Sequence, residues 1–175
     1  MGAVPHHFTE HRDCWKSWYE EEAARIAAFL PGAFALHHVG STAIDGIWAK
    51  PIVDILMEIP QERSMEEVKE VLTRNGYRCM SEEGSRKSFN RGYTSDGFAE
   101  RVFHLHLRYS GDHDELYFRD YMNAHPAQAR AYERLKRSLL EQYEHDRDGY
   151  TNAKTAFVKE YTQRAKVESG ERTAI

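Results

Sequence analysis

Residues 51–59 read PIVDILMEI, an apolar run of strand length that carries a carboxylate, Asp54, in its interior. A chain with such a segment needs a sheet and flanking helices to cover the apolar side chains. It also needs something to meet the carboxylate, because an ionised Asp in a dry interior costs several kcal/mol unless it is paired or hydrogen-bonded. Two readings of Asp54 stay open. It is a ligand for a metal ion in a working site, or a structural residue tied to Lys50 or to the backbone of the preceding loop.

That loop is the second constraint. Residues 34–39 form a short strand, and Gly40-Ser41-Thr42 follows at once, thirteen residues ahead of Asp54 counted from the serine. A strand that breaks into Gly-Ser turns backbone N–H groups outward, where they can cradle phosphate oxygens. The Gly-x4-Gly-Lys spacing of a P-loop is absent, so an ordinary tight turn competes with a phosphate cradle. A turn that holds a polyphosphate, followed by a strand carboxylate, is the plan of a metal-dependent nucleotidyl-transfer site.

Residues 102–109, VFHLHLRY, alternate as a strand with His104 and His106 on one face. Beside the Asp54 strand, two imidazoles and one carboxylate would converge, a donor set that favours Zn²⁺, Fe²⁺ or Mn²⁺ over Mg²⁺. A polar sheet face bonded to neighbouring side chains is the plainer alternative. His37 and His38 are adjacent and face opposite ways, so at most one joins any site.

The remaining chain supplies the cover. Thr9–Leu30 reads as a helix capped by Thr9, with Trp15, Trp18, Tyr19, Ile26, Phe29 and Leu30 on its apolar stripe and Glu20–Glu22 and Arg25 off it. Ser64–Arg74 is a second helix stopped by Asn75-Gly76. Strands are expected at 77–80 and 89–93, with residues 84–87 turning between them. Leu116–Met122 forms a short helix and Pro126 opens a long one that Gly149 breaks. Thr151 then caps a last helix, and the tail frays after Val167. The expectation is one α+β domain over residues 1–175: a core at about 9–110, a C-terminal helical part at about 111–167 packed on it, and a frayed tail at 168–175.

Composition narrows the function. With 41% hydrophobic and 30% charged residues the chain can bury a sizeable core, and a net charge of −4 argues against extended duplex binding while leaving room for a local basic patch. Cys14 and Cys79 form no pair of metal-binding or redox spacing and suit a reducing compartment. No charged leader precedes an apolar stretch, the start MGAVPH lacks a myristoylation signal, and no apolar run reaches ~20 residues, so a soluble cytoplasmic protein is expected. Arg119, Arg130, Arg134, Lys136, Arg137 and Lys154 sit on the C-terminal helices. Lys136 and Lys154 lie near the apolar stripes, from which either can reach a phosphate.

The stretch HHVGSTAIDGIWAKPIVDI resembles the signature of the GrpB family, placed in the nucleotidyltransferase superfamily with the polymerase-β-like fold. FHLHLRY, YFRDYMNAHPAQARAYERLK and HDRDGYTNAKTAFV follow in the family's order, so the resemblance spans roughly residues 10–165. It implies a mixed or antiparallel sheet flanked by helices. It further implies a metal-dependent transfer of a nucleotidyl group from an NTP to an unidentified acceptor, with Asp54 and Ser41 in the catalytic centre. Gly40, Ser41, Thr42, Lys50, Lys136 and Lys154 would bind the nucleotide, and Asp54, His104 and His106 would hold a divalent metal (Mg, Mn or Zn). One departure stands out. Superfamily members carry two strand carboxylates one residue apart, whereas positions 52 and 56 here are Ile and Leu. Glu58 shares Asp54's face but lies ~13 Å along the strand. A degenerate member that binds a nucleotide or metal without transfer is therefore the alternative reading.

Overall fold

The computed structural model describes residues 7–173. The readings of the leader and myristoylation signal, which rest on residues 1–6, lie outside them, as does the end of the tail at 174–175. Along the chain run α1 (Cys14–Phe29), β1 (Ala35–Val39), a 3₁₀ turn (Ser41–Ala43), β2 (Ile52–Ile59), α2 (Met65–Arg74), β3 (Arg78–Glu83), β4 (Arg86–Thr94), β5 (Gly97–Tyr109), α3 (Asp114–Ala124), α4 (Pro126–Gln142) and α5 (Arg147–Thr173). The chain divides into two compact units between His113 and Asp114.

In the first unit the five strands form one sheet in the order β1-β2-β5-β4-β3. Only β2 and β5 are parallel, so the sheet is mixed. Alternation along β2 sends Val53, Ile55, Met57 and Ile59 to one face, where all four are fully buried with Phe103, Leu105 and Leu107 of β5. Trp15, Ile26 and Leu30 of the α1 segment and Met65, Val68 and Leu72 of α2 complete that core. Each such side chain contributes about 1.5–3 kcal/mol on burial, enough to pin the register of β2 and with it the face on which Asp54 emerges.

Helix α1 begins at Cys14, later than the Thr9 cap expected from sequence. Thr9 cannot cap because its backbone is extended and bonded twice to Ala49, N–H to carbonyl at 2.9 Å each way. Glu22, read as lying off the apolar stripe, is buried. Tyr77 donates to it at 2.6 Å, Arg91 donates through Nε at 2.9 Å and Nη2 at 2.6 Å, and Arg25 adds a longer contact. Helix α2 starts as expected, with Ser64 Oγ accepting the Glu67 N–H at 3.3 Å.

The β3–β4 hairpin is longer than expected: only Gly84-Ser85 turns, and Lys87 lies inside β4. Lys87 Nζ lies 3.5 Å from its cross-strand partner Glu82 and 2.8 Å from Glu66 of α2.

In the second unit Phe118, Met122, Ala129, Tyr132, Leu139 and Ala165 are buried, with the Phe118 ring edge-on to Tyr132 at 5.1 Å and Tyr132 stacked on Phe157 at 5.3 Å. Gly149 does not separate two helices and Thr151 does not cap one. Helix α5 runs unbroken from Arg147, and Gly149 falls in its first turn, where an N–H has no intrahelical partner. Asp146 Oδ1 accepts that N–H at 2.9 Å. The same helix continues to Thr173, past the Val167 position where fraying was expected. No helix among the described residues is long and apolar enough to cross a membrane.

Candidate functional site

The antiparallel register places Val39, the last residue of β1, directly opposite Asp54. The residue after Val39 must therefore turn immediately above that carboxylate. Gly40 does so with φ 75° and ψ −174°, a backbone conformation essentially reserved for glycine. A Cβ at this position would lie 2.4 Å from Asp54 Oδ2 and 2.9 Å from its Cγ. Gly40 is thus required twice, by its dihedrals and by the close approach of the Asp54 side chain.

The loop closes as a single 3₁₀ turn, with Ala43 N–H bonded to Gly40 carbonyl at 3.1 Å and Ile44 N–H to Ser41 carbonyl at 3.2 Å. Thr42 is buried beneath it. Its hydroxyl donates to the Ile52 carbonyl at 3.2 Å and accepts from His38 Nε2 at 2.9 Å, while the His38 ring stacks on Tyr19 at 5.0 Å. Thr42 therefore braces the loop against the start of β2, and its hydroxyl is already committed.

Asp54 meets the groups the sequence left open. The parallel register sets His104 beside it and His106 one step further on the same face. His106 Nε2 lies 3.0 Å from Asp54 Oδ1, a hydrogen bond, and His104 Nδ1 lies 3.9 Å from the same oxygen. The Asp54 side chain keeps 26% of its accessible surface, so it is not stranded in the core.

These three residues do not form a metal-ligating cage. Among the described residues no group of three His, Cys, Asp or Glu side chains is arranged to hold a metal ion. His106 Nε2 is hydrogen-bonded to Asp54, and Tyr93 Oη holds His104 through Nε2 at 2.8 Å, which leaves Nδ1 as the His104 nitrogen on the Asp54 side. Position 56, where a second carboxylate would complete the donor set, is a fully buried Leu.

Glu58, four residues along β2, anchors a separate cluster. It accepts from His37 Nε2 at 2.9 Å, His113 Nδ1 at 2.7 Å and Gly111 N–H at 2.9 Å. Burial pushes its carboxyl up, but the bonds from Gly111, His113 and His37 outweigh that and hold it below the usual carboxylate range. His37 and His38 do face opposite ways, and neither is bonded to Asp54 among these contacts.

Lys50 is half-buried on the segment that leads into β2, with its carbonyl accepting the Ile52 N–H at 2.8 Å. Lys136 and Lys154 belong to the second unit. Lys136 is buried with Nζ 4.7 Å from the Tyr132 ring centre, and Lys154 Nζ is 5.5 Å from that of Tyr150. The residues that sequence reasoning passed over are Tyr93, which holds His104, and the His37–Glu58–His113 cluster. Tyr93 meets His104 across a bulge between consecutive strands, and the cluster joins Glu58 to residues 21 and 55 positions away.

Comparison with known proteins places this arrangement. Residues 5–164 match the family described as GrpB protein. The chain is 32% identical over 160 residues to UPF0157 protein YqkA of Bacillus subtilis, covering 89% of this chain and 46% of that protein. It is 34% identical over 156 residues to glutamate-rich protein GrpB of Alkalihalophilus pseudofirmus, covering 86% and 90%. The chain thus spans about half the length of the Bacillus relative and most of the Alkalihalophilus one. In structure it is similar to conserved protein GrpB from Enterococcus faecalis, with a TM-score of 0.77, 28% identity and coverage of 91% and 96%. The fold also matches the Cid1 poly(U) polymerase bound to MgGTP, with a TM-score of 0.57, 8% identity and coverage of 82% of this chain and 50% of that one. At such identity that likeness speaks for fold alone: an α+β nucleotidyltransferase fold of the polymerase-β-like kind. By sequence and by structure, the chain belongs to the GrpB family.

Proposed function

We propose that this protein binds a metal-bound nucleoside triphosphate at the Gly40–Asp54 site and transfers its nucleotidyl group to an acceptor. The observation that carries this reading is the contact of Gly40 with the Asp54 carboxylate, which brings a Gly-Ser turn and a solvent-reachable strand carboxylate together on a nucleotidyltransferase fold. A resident metal needs a set of converging donors, and no group of three is so arranged among the described residues. A metal that arrives on the triphosphate needs less, because Mg²⁺ is commonly held by one or two carboxylates plus the phosphate oxygens of its substrate. Asp54 is that carboxylate. Gly40 and Ser41 face the phosphates in this reading, Thr42 holds the loop in place, and Lys50 is the cation of the first unit nearest in sequence to β2.

Incubation with each α-labelled NTP, Mg²⁺ or Mn²⁺ and a cell extract as acceptor source tests it. Label transfer with release of pyrophosphate, lost in Asp54→Asn, supports the transferase. A second reading, nucleotide binding without transfer, is favoured by one specific observation: buried Leu56 stands where a second carboxylate would complete a two-metal site. Saturable nucleotide binding with no transfer under any of these conditions would decide for it.

A further inference from the structure

Tyr93 is out of place for a regular strand. Arg91 points to the α1 side of the sheet, where it pairs with Glu22, and two residues on Tyr93 should share that face. Instead its hydroxyl reaches His104, which lies on the opposite face beside Asp54. The cause is a bulge. Arg91 pairs with Phe103 but Tyr93 pairs with Phe98, so Gly92 alone on β4 stands against residues 99–102 on β5. Gly92 takes φ 102°, and a Cβ there would lie 2.3 Å from the Arg101 carbonyl oxygen. Bulges commonly re-aim a side chain next to a functional site.

The bulge produces a flat aromatic surface. The Tyr93 and His104 rings are nearly parallel, inclined by only 14° with centres 5.9 Å apart, and a 2.8 Å hydrogen bond joins them. The pair therefore forms a shelf of two parallel rings wider than a single one. Phe98 supports it, tilted 58° to Tyr93 at 4.7 Å. The shelf is not core: His104 keeps 29% of its side-chain surface and Tyr93 and Phe98 are half-exposed. Its inner end lies 3.9 Å from the Asp54 carboxylate.

We infer that the Tyr93–His104 shelf stacks the nucleobase of the bound triphosphate. The inference rests on the nucleotide reading above and adds what the phosphate loop cannot supply, a reason for the site to prefer a nucleotide over bare polyphosphate. Every base has a π-face, so stacking selects for the presence of a base more than for its identity.

Isothermal titration of Mg²⁺-saturated inorganic tripolyphosphate, ATP and UTP into wild type, Tyr93→Phe, Tyr93→Trp and Tyr93→Leu tests the inference. Wild type should bind both nucleotides more tightly than tripolyphosphate, by on the order of tenfold. Tyr93→Phe and Tyr93→Trp should keep that preference, because the ring remains. Tyr93→Leu should bring the nucleotides down to tripolyphosphate and leave tripolyphosphate itself unchanged. A preference that survives in Tyr93→Leu, or is lost equally in Tyr93→Phe, overturns the shelf while nucleotide binding stands. So does a Tyr93→Leu loss that falls equally on tripolyphosphate, since the ring would then only brace the fold. If wild type binds none of the three ligands, the nucleotide reading fails and the shelf falls with it.

Discussion

Replacing Gly40 by Ala isolates the contact on which the site is built. Two costs add. The dihedrals, φ 75° and ψ −174°, lie where an L-residue carries about 1–3 kcal/mol of strain. The new Cβ would sit 2.4 Å from Asp54 Oδ2, 2.9 Å from Cγ and 3.0 Å from Cβ, so the aspartate must swing away or the loop must lift. If the aspartate swings, the 3.0 Å bond from His106 to Asp54 is lost at a further cost of about 1.5–3 kcal/mol for a hydrogen bond to a charged group. Together these reach about 2.5–6 kcal/mol, a fall of about 5–24 °C in melting temperature for a domain of this size. Scanning calorimetry of Gly40→Ala, Asp54→Ala and the double variant separates the parts. Asp54→Ala removes Cγ and Oδ2, the two nearest atoms, so Gly40→Ala should cost less in that background, by about 1–2 kcal/mol. Strict additivity of the two substitutions would refute the claim that the glycine is there for the carboxylate.

Other outcomes follow from the same structure. Glu22→Ala leaves the Arg91 guanidinium and the Tyr77 hydroxyl without their carboxylate in a buried place, and should cost about 3–5 kcal/mol in a urea melt. Glu58 is a depressed carboxyl, so its contribution to stability is present above the ordinary carboxyl value of 4.5 and is lost as pH falls through its lower folded value. Melting temperature should therefore drop on acidification below that value, and Glu58→Gln should flatten the drop. Ser64→Ala removes the acceptor of the Glu67 N–H and should cost about 1 kcal/mol, read as a small fall in melting temperature. Leu56→Asp should trade stability for Mn²⁺ affinity by supplying a second carboxylate on the face of Asp54, and calorimetric titration showing no gain would count against the face assignment.

What could be read from the sequence follows the periodicities. β5 alternates from Phe103 to Arg108 and β2 is an apolar run interrupted by Asp54, so the meeting of Asp54 with His104 and His106, once the strands are neighbours, was open to inference. Gly40 announced a special backbone, although nothing in the string said that its missing Cβ makes room for Asp54. The misses share one cause, which is that long-range partners override local signals. Thr9 is a good cap by type, yet its backbone is claimed by Ala49. Glu22 looks like a solvated residue until Arg91 and Tyr77, 69 and 55 residues away, close over it. Gly149 is a helix breaker in isolation and harmless in a first turn that Asp146 caps. Asp54, His104 and His106 meet as their strands predict, while Tyr93 reaches His104 through a bulge that no pattern marks.

The central claim is that Asp54 and the Gly40 turn together receive a metal-bound triphosphate. Its most direct test is equilibrium titration of Mg·ATP, Mg·GTP, Mg·CTP and Mg·UTP into wild type, Asp54→Asn and Gly40→Ala at fixed ionic strength, alongside the melting temperature of each protein. The account predicts saturable binding of at least one nucleotide to wild type, weakened at least tenfold in Asp54→Asn and abolished in Gly40→Ala, with wild type stabilised by the ligand through mass action. No binding at millimolar nucleotide, or equal affinity in wild type and Asp54→Asn, would contradict it.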